Sequence, residues 1–155
     1  MADEPFLLPS SGLFRDGAHY FAARVYFEDT DLSGVVYHAN YLRFMERARS
    51  DMLRLLAIDQ RGTHASGGGY YAIADLSLRY LRPASLDDDL QIISRPRNVR
   101  AASLVIDQSI WRGPDQLTEG AVTVAFLSAS GRPQRQPAHW ITAFHRIASG
   151  EDLPS

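Results

Sequence analysis

The sequence predicts an α+β domain in which an antiparallel sheet curls around one long helix, and three observations lead there. A single segment, from about residue 38 or 40 to 57, keeps a helical period of apolar residues. From Gly69 to about residue 129 the apolar period is two, in four segments bounded by turn residues. No helical pattern separates those four segments, so the crossovers that a parallel sheet requires are missing. With the strand expected before the helix, the sheet has about five strands.

Residues 1–19 are rich in Pro, Ser and Gly without a period and are expected to be a flexible arm ahead of a domain spanning 20–135. Aromatic and β-branched residues from Tyr20 to Phe27 read as the first strand, and the polar stretch Glu28 to Gly34 as a loop. In the helix, Tyr41, Met45, Ala48, Met52 and Leu55 form an apolar stripe that Phe44, Leu53 and Leu56 widen. Arg47 with Asp51, and Asp51 with Arg54, are spaced to pair on the opposite side. Asn40 is placed to cap the first turn by accepting from its unpaired amides. Gln60-Arg61-Gly62 then breaks the helix, and residues 62–69, ending in Gly67-Gly68-Gly69, read as a flexible connector.

Strands are expected near 70–81, 88–98, 102–112 and 118–129. Leu104, Ile106, Gln108 and Ile110 share one face, and Val122, Val124 and Phe126 another. Turn residues fall between the strands at Arg82-Pro83, Asp87-Asp88-Asp89, Asn98 and Gly113-Pro114-Asp115. The last segment, 136–155, reads as an extension with a short helix over 138–148, its stripe made of Trp140, Ile141, Phe144 and Ile147.

A chain of 155 residues is the size of one domain and can bury a core of its own. Sixteen basic against eighteen acidic side chains give a formal charge of −2, which offers nothing to recruit nucleic acid or an anionic membrane. The lack of cysteine removes thiol nucleophiles, disulfides and thiolate metal sites, and fits a reducing cytoplasm. Asp3 and Glu4 stand where a signal peptide needs basic residues, and no apolar run is long enough for membrane insertion. The histidines at 19, 38, 64, 139 and 145 show no metal-ligand spacing, and neither a nucleophile elbow nor a phosphate loop is present. No metal and no cofactor is expected.

One stretch concentrates chemistry. Glu28-Asp29-Thr30-Asp31-Leu32-Ser33-Gly34-Val35-Val36-Tyr37-His38-Ala39-Asn40-Tyr41 places three acids on a loop that feeds a helix N-terminus. Amides without intrahelical partners point outward there and carry about half a positive charge, which suits a developing oxyanion. A carboxylate one loop away supplies an oxygen nucleophile or a general base, and with an ordinary pKa of about 3.9 it needs no prior deprotonation. Those are the two halves of an acyl transfer. On the residues alone, Asp29 and Asp31 read equally well as turn residues making Asx bonds.

The run Tyr26-Phe27-Glu28-Asp29-Thr30-Asp31, then Gly34-Val35-Val36-Tyr37-His38, Asn40-Tyr41 and Phe44-Met45-Glu46-Arg47-Ala48-Arg49 resembles the signature of hotdog-fold acyl-CoA thioesterases of the 4-hydroxybenzoyl-CoA thioesterase type. Within that group it is most similar to the bacterial branch associated with the Tol-Pal envelope system. The similarity extends over roughly 20–135, through Tyr80-Leu81-Arg82-Pro83-Ala84, Leu86-Asp87-Asp88 and Arg100-Ala101-Ala102-Ser103-Leu104. It implies a hotdog fold, a curved antiparallel sheet around a central helix. It also implies hydrolysis of an acyl-CoA, short-chain aliphatic by preference and aromatic as the alternative, to a free acid and CoA.

By the same resemblance Asp31 corresponds to the catalytic carboxylate, the amide of His38 to the group that polarises the thioester carbonyl, and the His38 imidazole to an active-site side chain. Gly34, Tyr37, Asn40 and Tyr41 correspond to residues shaping the substrate site, and Arg100, Ser103, Arg132 and Arg135 are candidates to hold the CoA phosphates. The resemblance further implies a homodimer or homotetramer with active sites between subunits. Acyl carrier protein is a second expected partner. Two rival readings use the same fold: a binding module for acyl-CoA or acyl carrier protein that does not hydrolyse, and a hydratase acting on acyl-CoA.

Overall fold

The computed structural model describes residues 5–151. Its strands are β1 (Leu13–Arg15), β2 (Ala18–Arg24), β3 (Tyr70–Tyr80), β4 (Asp89–Arg97), β5 (Ser103–Arg112) and β6 (Asp115–Leu127). The helices are α1 (Asn40–Leu55), α2 (Gln60–Ala65) and α3 (Ala138–Ala148), with a 3-10 turn at Phe27–Asp29. All six strands form one antiparallel sheet in the order β1-β2-β4-β5-β6-β3, which makes β3 an edge strand.

The helix stripe and the sheet's inner face bury each other, as their periods require. Phe44, Met45, Ala48 and Met52 of α1 are fully buried against Ile92, Leu104, Ile106, Ile110, Val122 and Phe126. Burying a side chain of the Phe or Met class contributes about 1.5–3 kcal/mol, so this one interface dominates the stability of the domain. The helix of the C-terminal segment closes the end of the core: Trp140, Phe144 and Ile147 are buried and Ile141 half-buried. Gly69 is required where α2 hands over to β3, because with φ +114° a Cβ would lie 2.6 Å from the Leu127 carbonyl oxygen.

The structure corrects several expectations. The sheet gains a strand because Asp16 and Gly17, both at positive φ, turn Leu13–Arg15 back onto β2. Residues 13–19 are thus part of the sheet and not of a flexible arm; residues 1–4 lie outside the described residues. The first strand stops at Arg24, and Phe27–Asp29 are a 3-10 turn. Gln60 opens α2 instead of starting a loop, since the Asp59 side chain accepts from the Gly62 amide at 3.0 Å and caps it. Residues 152–155 of the C-terminal segment also fall outside the described residues.

Asp51 does not pair with Arg47 or Arg54. It is buried and accepts from the Gly12 amide at 2.9 Å while lying 2.7 Å from His19 Nε2. His19 is itself fully buried between Phe14 and Phe21, and its Nδ1 has no partner among the described residues. The helix therefore binds the N-terminal hairpin through a polar contact that α1's local spacing does not reveal. Burial pushes the His19 pKa below its ordinary 6.5, outweighing the opposite pull of Asp51.

Because the unfolded chain binds that proton more readily, His19 contributes stability that is complete above pH about 6.5 and is lost as pH falls toward the depressed folded value. The thermal midpoint is accordingly expected to fall between pH 7 and pH 5.5. His19→Gln should melt with a visibly shallower dependence over that range, and an unchanged slope would remove His19 as its source.

Candidate active site

The loop from Tyr26 to Tyr37 is folded by its own short side chains. Asp31 and Gly34 close a turn, the Gly34 amide donating to the Asp31 carbonyl at 3.0 Å, and Gly34 sits at φ +82° with open space where a Cβ would be. The Asp31 amide donates to Val35 O at 3.1 Å, and Val36 donates to Ala84 O at 2.8 Å, which ties the loop to the segment before β4. Beneath it, Asp29 is buried, accepting from the Tyr26 amide at 2.8 Å and from Asn40 Nδ2 at 2.6 Å. The Asp29 carbonyl also receives the Tyr37 amide at 2.8 Å. Asn40 is therefore not an N-cap: α1 has no side-chain cap bond, and the Asn40 amide group points back into the loop.

This scaffold presents Asp31 outward. Its carboxyl is exposed and accepts from the Ser33 amide at 2.8 Å and from the Ser33 hydroxyl. Those bonds, foremost the hydroxyl's, hold Asp31 below the ordinary carboxylate value of 3.8, and the nearby His38 ring adds to the effect. His38 and Tyr37 are also exposed, with ring centroids 4.5 Å apart. The His38 carbonyl accepts from the Tyr80 hydroxyl at 2.6 Å, and its amide makes no hydrogen bond among the described residues. The loop thus carries an exposed carboxyl at Asp31 and, two residues before α1, an amide at His38 with no partner among the described residues.

The other expected site residues are distributed differently. Tyr41 is buried, with its hydroxyl accepting from the Ala84 amide at 2.9 Å and its ring edge-on to Tyr80, so it shapes the helix entry without an open face for substrate. Arg100 and Ser103 are brought beside Arg132 and Arg135 by Gln136, whose amide donates to Ala101 O at 2.7 Å and whose side chain donates to Arg100 O at 2.9 Å. This basic end lies past β4 from Asp31, roughly 25–30 Å along the strands. Sequence reasoning missed Asp29 as an anchor, although its bond to the Tyr26 amide three residues earlier is local, and missed Tyr80 as the support of His38, which lies 42 residues away. Among the described residues no cluster of three or more His, Asp or Glu is placed to hold a metal ion, and no helix is long and apolar enough to cross a membrane.

Residues 33–119 match the family model of the Thioesterase superfamily. The chain belongs to that superfamily. It is 35% identical over 133 residues to the acyl-CoA thioesterase YbgC of Haemophilus influenzae, covering 85% of this chain and 98% of that one. It is 41% identical over 98 residues to the acyl-CoA thioester hydrolase YbgC of Escherichia coli, covering 63% of this chain and 72% of the relative. A crystal structure of a probable thioesterase from Bartonella henselae superposes with a TM-score of 0.73 at 38% identity, over 77% of this chain and 99% of the other. The hotdog architecture and the assignment to thioester hydrolases thus stand on sequence and fold together.

Proposed function

We propose that this thioester hydrolase cleaves acyl-CoA, with Asp31 supplying the attacking oxygen and the His38 amide taking the oxyanion. The observation that carries the reading is their placement on one loop, the carboxyl kept ionised by Ser33 and the amide left free at the start of α1. A carboxyl held below 3.8 is a weak base, since general-base efficiency is best with a pKa near the working pH, and this favours direct attack. An Asp31 oxygen then bonds to the thioester carbon, the C–S bond breaks, and the CoA thiolate leaves and is protonated by solvent. Water hydrolyses the resulting mixed anhydride to the free acid and restores the Asp31 carboxylate. The His38 ring, exposed on the same loop, is the side chain assigned to orient that water. No step requires a metal or a bound cofactor.

The basic end that would hold CoA phosphates is too far from Asp31 within one protomer, and the edge strand offers a resolution. β3 is an 11-residue edge with Ile73, Leu76 and Tyr80 exposed, the kind of strand that pairs with another chain. Two copies joined antiparallel along β3 bring Tyr80 and His38 of one protomer toward the Tyr70 end of its partner, which carries the Arg100, Ser103, Arg132 and Arg135 cluster. A dimer, alone or paired again into a tetramer, therefore completes the site. The carboxyl at its centre separates this reading from a binding module, which needs no such group facing a thioester.

The reading implies short-chain aliphatic acyl-CoA as substrate, aromatic acyl-CoA as the next class, and a cytoplasmic location where acyl-CoA is made. Purified protein is expected to release thiol from a panel of acetyl-, butyryl-, hexanoyl- and benzoyl-CoA, assayed beside an acyl carrier protein thioester, and to sediment at twice the chain mass or more. Tight acyl-CoA binding with no thiol release from any member would defeat it.

A further inference from the structure

The core does not close between α1 and the β3 edge. A cavity of about 220 Å³ opens there, with Tyr71, Ile106, Val124 and Phe144 on its apolar side and Glu46, Arg49, Ser50 and Gln60 on its polar side. The one cation of that polar side, Arg49, nine residues after Asn40, donates from Nη1 to Gln108 Oε1 at 2.8 Å. The Gln108 amide group is committed to Met45 O at 3.0 Å and Ser94 Oγ at 2.9 Å, so its oxygen is fixed toward Arg49. Among the described residues no carboxylate lies within ion-pair distance of Arg49. Burial depresses the Arg49 pKa, with Glu46 one turn earlier acting only through space in the opposite sense. A half-buried guanidinium has five N–H donors, and one neutral amide oxygen satisfies only one of them.

We propose that this cavity receives the far end of the acyl group and that Arg49 selects acyl groups carrying an acceptor oxygen there, a hydroxyl or a carboxylate, over plain hydrocarbon of the same length. The inference rests on the thioesterase reading above and adds its substrate class. Size agrees: a cavity of about 150 Å³ holds benzene, so this one takes on the order of eight heavy atoms. Reach agrees as well, because the Gln108 that accepts from Arg49 is anchored on Met45 O, which lies about 7.5 Å along the helix from Asn40 at 1.5 Å per residue, the span of a six-carbon acyl chain. A plain chain would bury the guanidinium without a partner, whereas a carboxylate could accept two parallel bonds from it.

The test compares kcat/KM for three CoA esters of equal chain length: hexanoyl, 6-hydroxyhexanoyl and adipoyl. The enzyme is expected to favour at least one oxygenated ester over hexanoyl-CoA by tenfold or more, and which of the two leads tells hydroxyl from carboxylate. Arg49→Met should lower kcat/KM on the favoured ester at least tenfold while leaving hexanoyl-CoA within about threefold. Gln108→Glu, which supplies Arg49 with an internal carboxylate, should erase the same preference if Arg49→Met fails to fold. Preference for hexanoyl-CoA in the native enzyme, or an equal loss on all three esters in the variants, overturns the proposal. Absence of thiol release from every ester, acetyl-CoA included, instead overturns the thioesterase reading on which it rests.

Discussion

Asp31→Asn is expected to lower kcat on acyl-CoA by about a hundredfold or more with no measurable change in thermal midpoint. The size follows if Asp31 is, as proposed, the group that delivers oxygen to the thioester carbon, an effect in the upper range for loss of a general base and no smaller for loss of a nucleophile. The unchanged stability follows from geometry. The side chain is exposed and, among the described residues, its only bonds are to Ser33, two residues away on the same turn, so an amide can accept from the same donors. Since Ser33 and His38 hold the carboxyl below 3.8, the native enzyme should show no loss of kcat/KM attributable to Asp31 until pH falls below about 4. Ser33→Ala removes the largest cause of that shift, and its acid limb should move upward. Undiminished turnover in Asp31→Asn, or an acid limb indifferent to Ser33, would take Asp31 out of the reaction.

Why that loop could be located from sequence, and its support could not, has a physical basis. Periodicity reports on each segment's own burial, so α1 and strands β3 to β6 were legible: one face of each had to be apolar to meet the other. The hairpin Leu13–Arg15 to Arg24 was hidden because β1 is only three residues long, too short to establish a period, although Asp16-Gly17 is a turn dipeptide that could have been noticed. Asp51 misled for a related reason. Its spacing from Arg47 and Arg54 fits an exposed helix pair worth a few tenths of a kcal/mol. The fold instead turns it toward His19 and Gly12, partners 32 and 39 residues away. Asp31, Gly34 and His38 could be placed on one loop because they are close in sequence, while the roles given to them came from the family resemblance alone. The Arg100 and Arg132 cluster was readable as charge, while its distance from Asp31 appears only once β4 has been laid out as an extended strand.

Asp29→Ala is the second change expected to have a large effect, and it acts through position. Asp29 is 3% exposed and its carboxyl receives the Tyr26 amide and Asn40 Nδ2, so truncation leaves one buried and one part-buried donor without an acceptor. A buried donor that loses its partner costs about 1–3 kcal/mol, so the domain should lose about 2–4 kcal/mol and melt about 5–15 °C lower. The same two bonds fix the loop carrying Asp31 against the start of α1 carrying the His38 amide. Loosening them would displace the proposed nucleophile and oxyanion donor relative to each other, and kcat should fall at least tenfold, since small misplacements of reacting groups are costly. Asn40→Ala removes one side of the same contact and should reproduce part of both losses. Combined with Asp29→Ala it should add less than the sum of the single effects, because the two residues share one hydrogen bond. Asp29→Asn separates position from charge: if it restores kcat while stability stays low, the residue works by holding the loop. Full additivity between positions 29 and 40, or a normal kcat in Asp29→Ala despite its lower melting point, would show that the loop keeps its shape without this anchor.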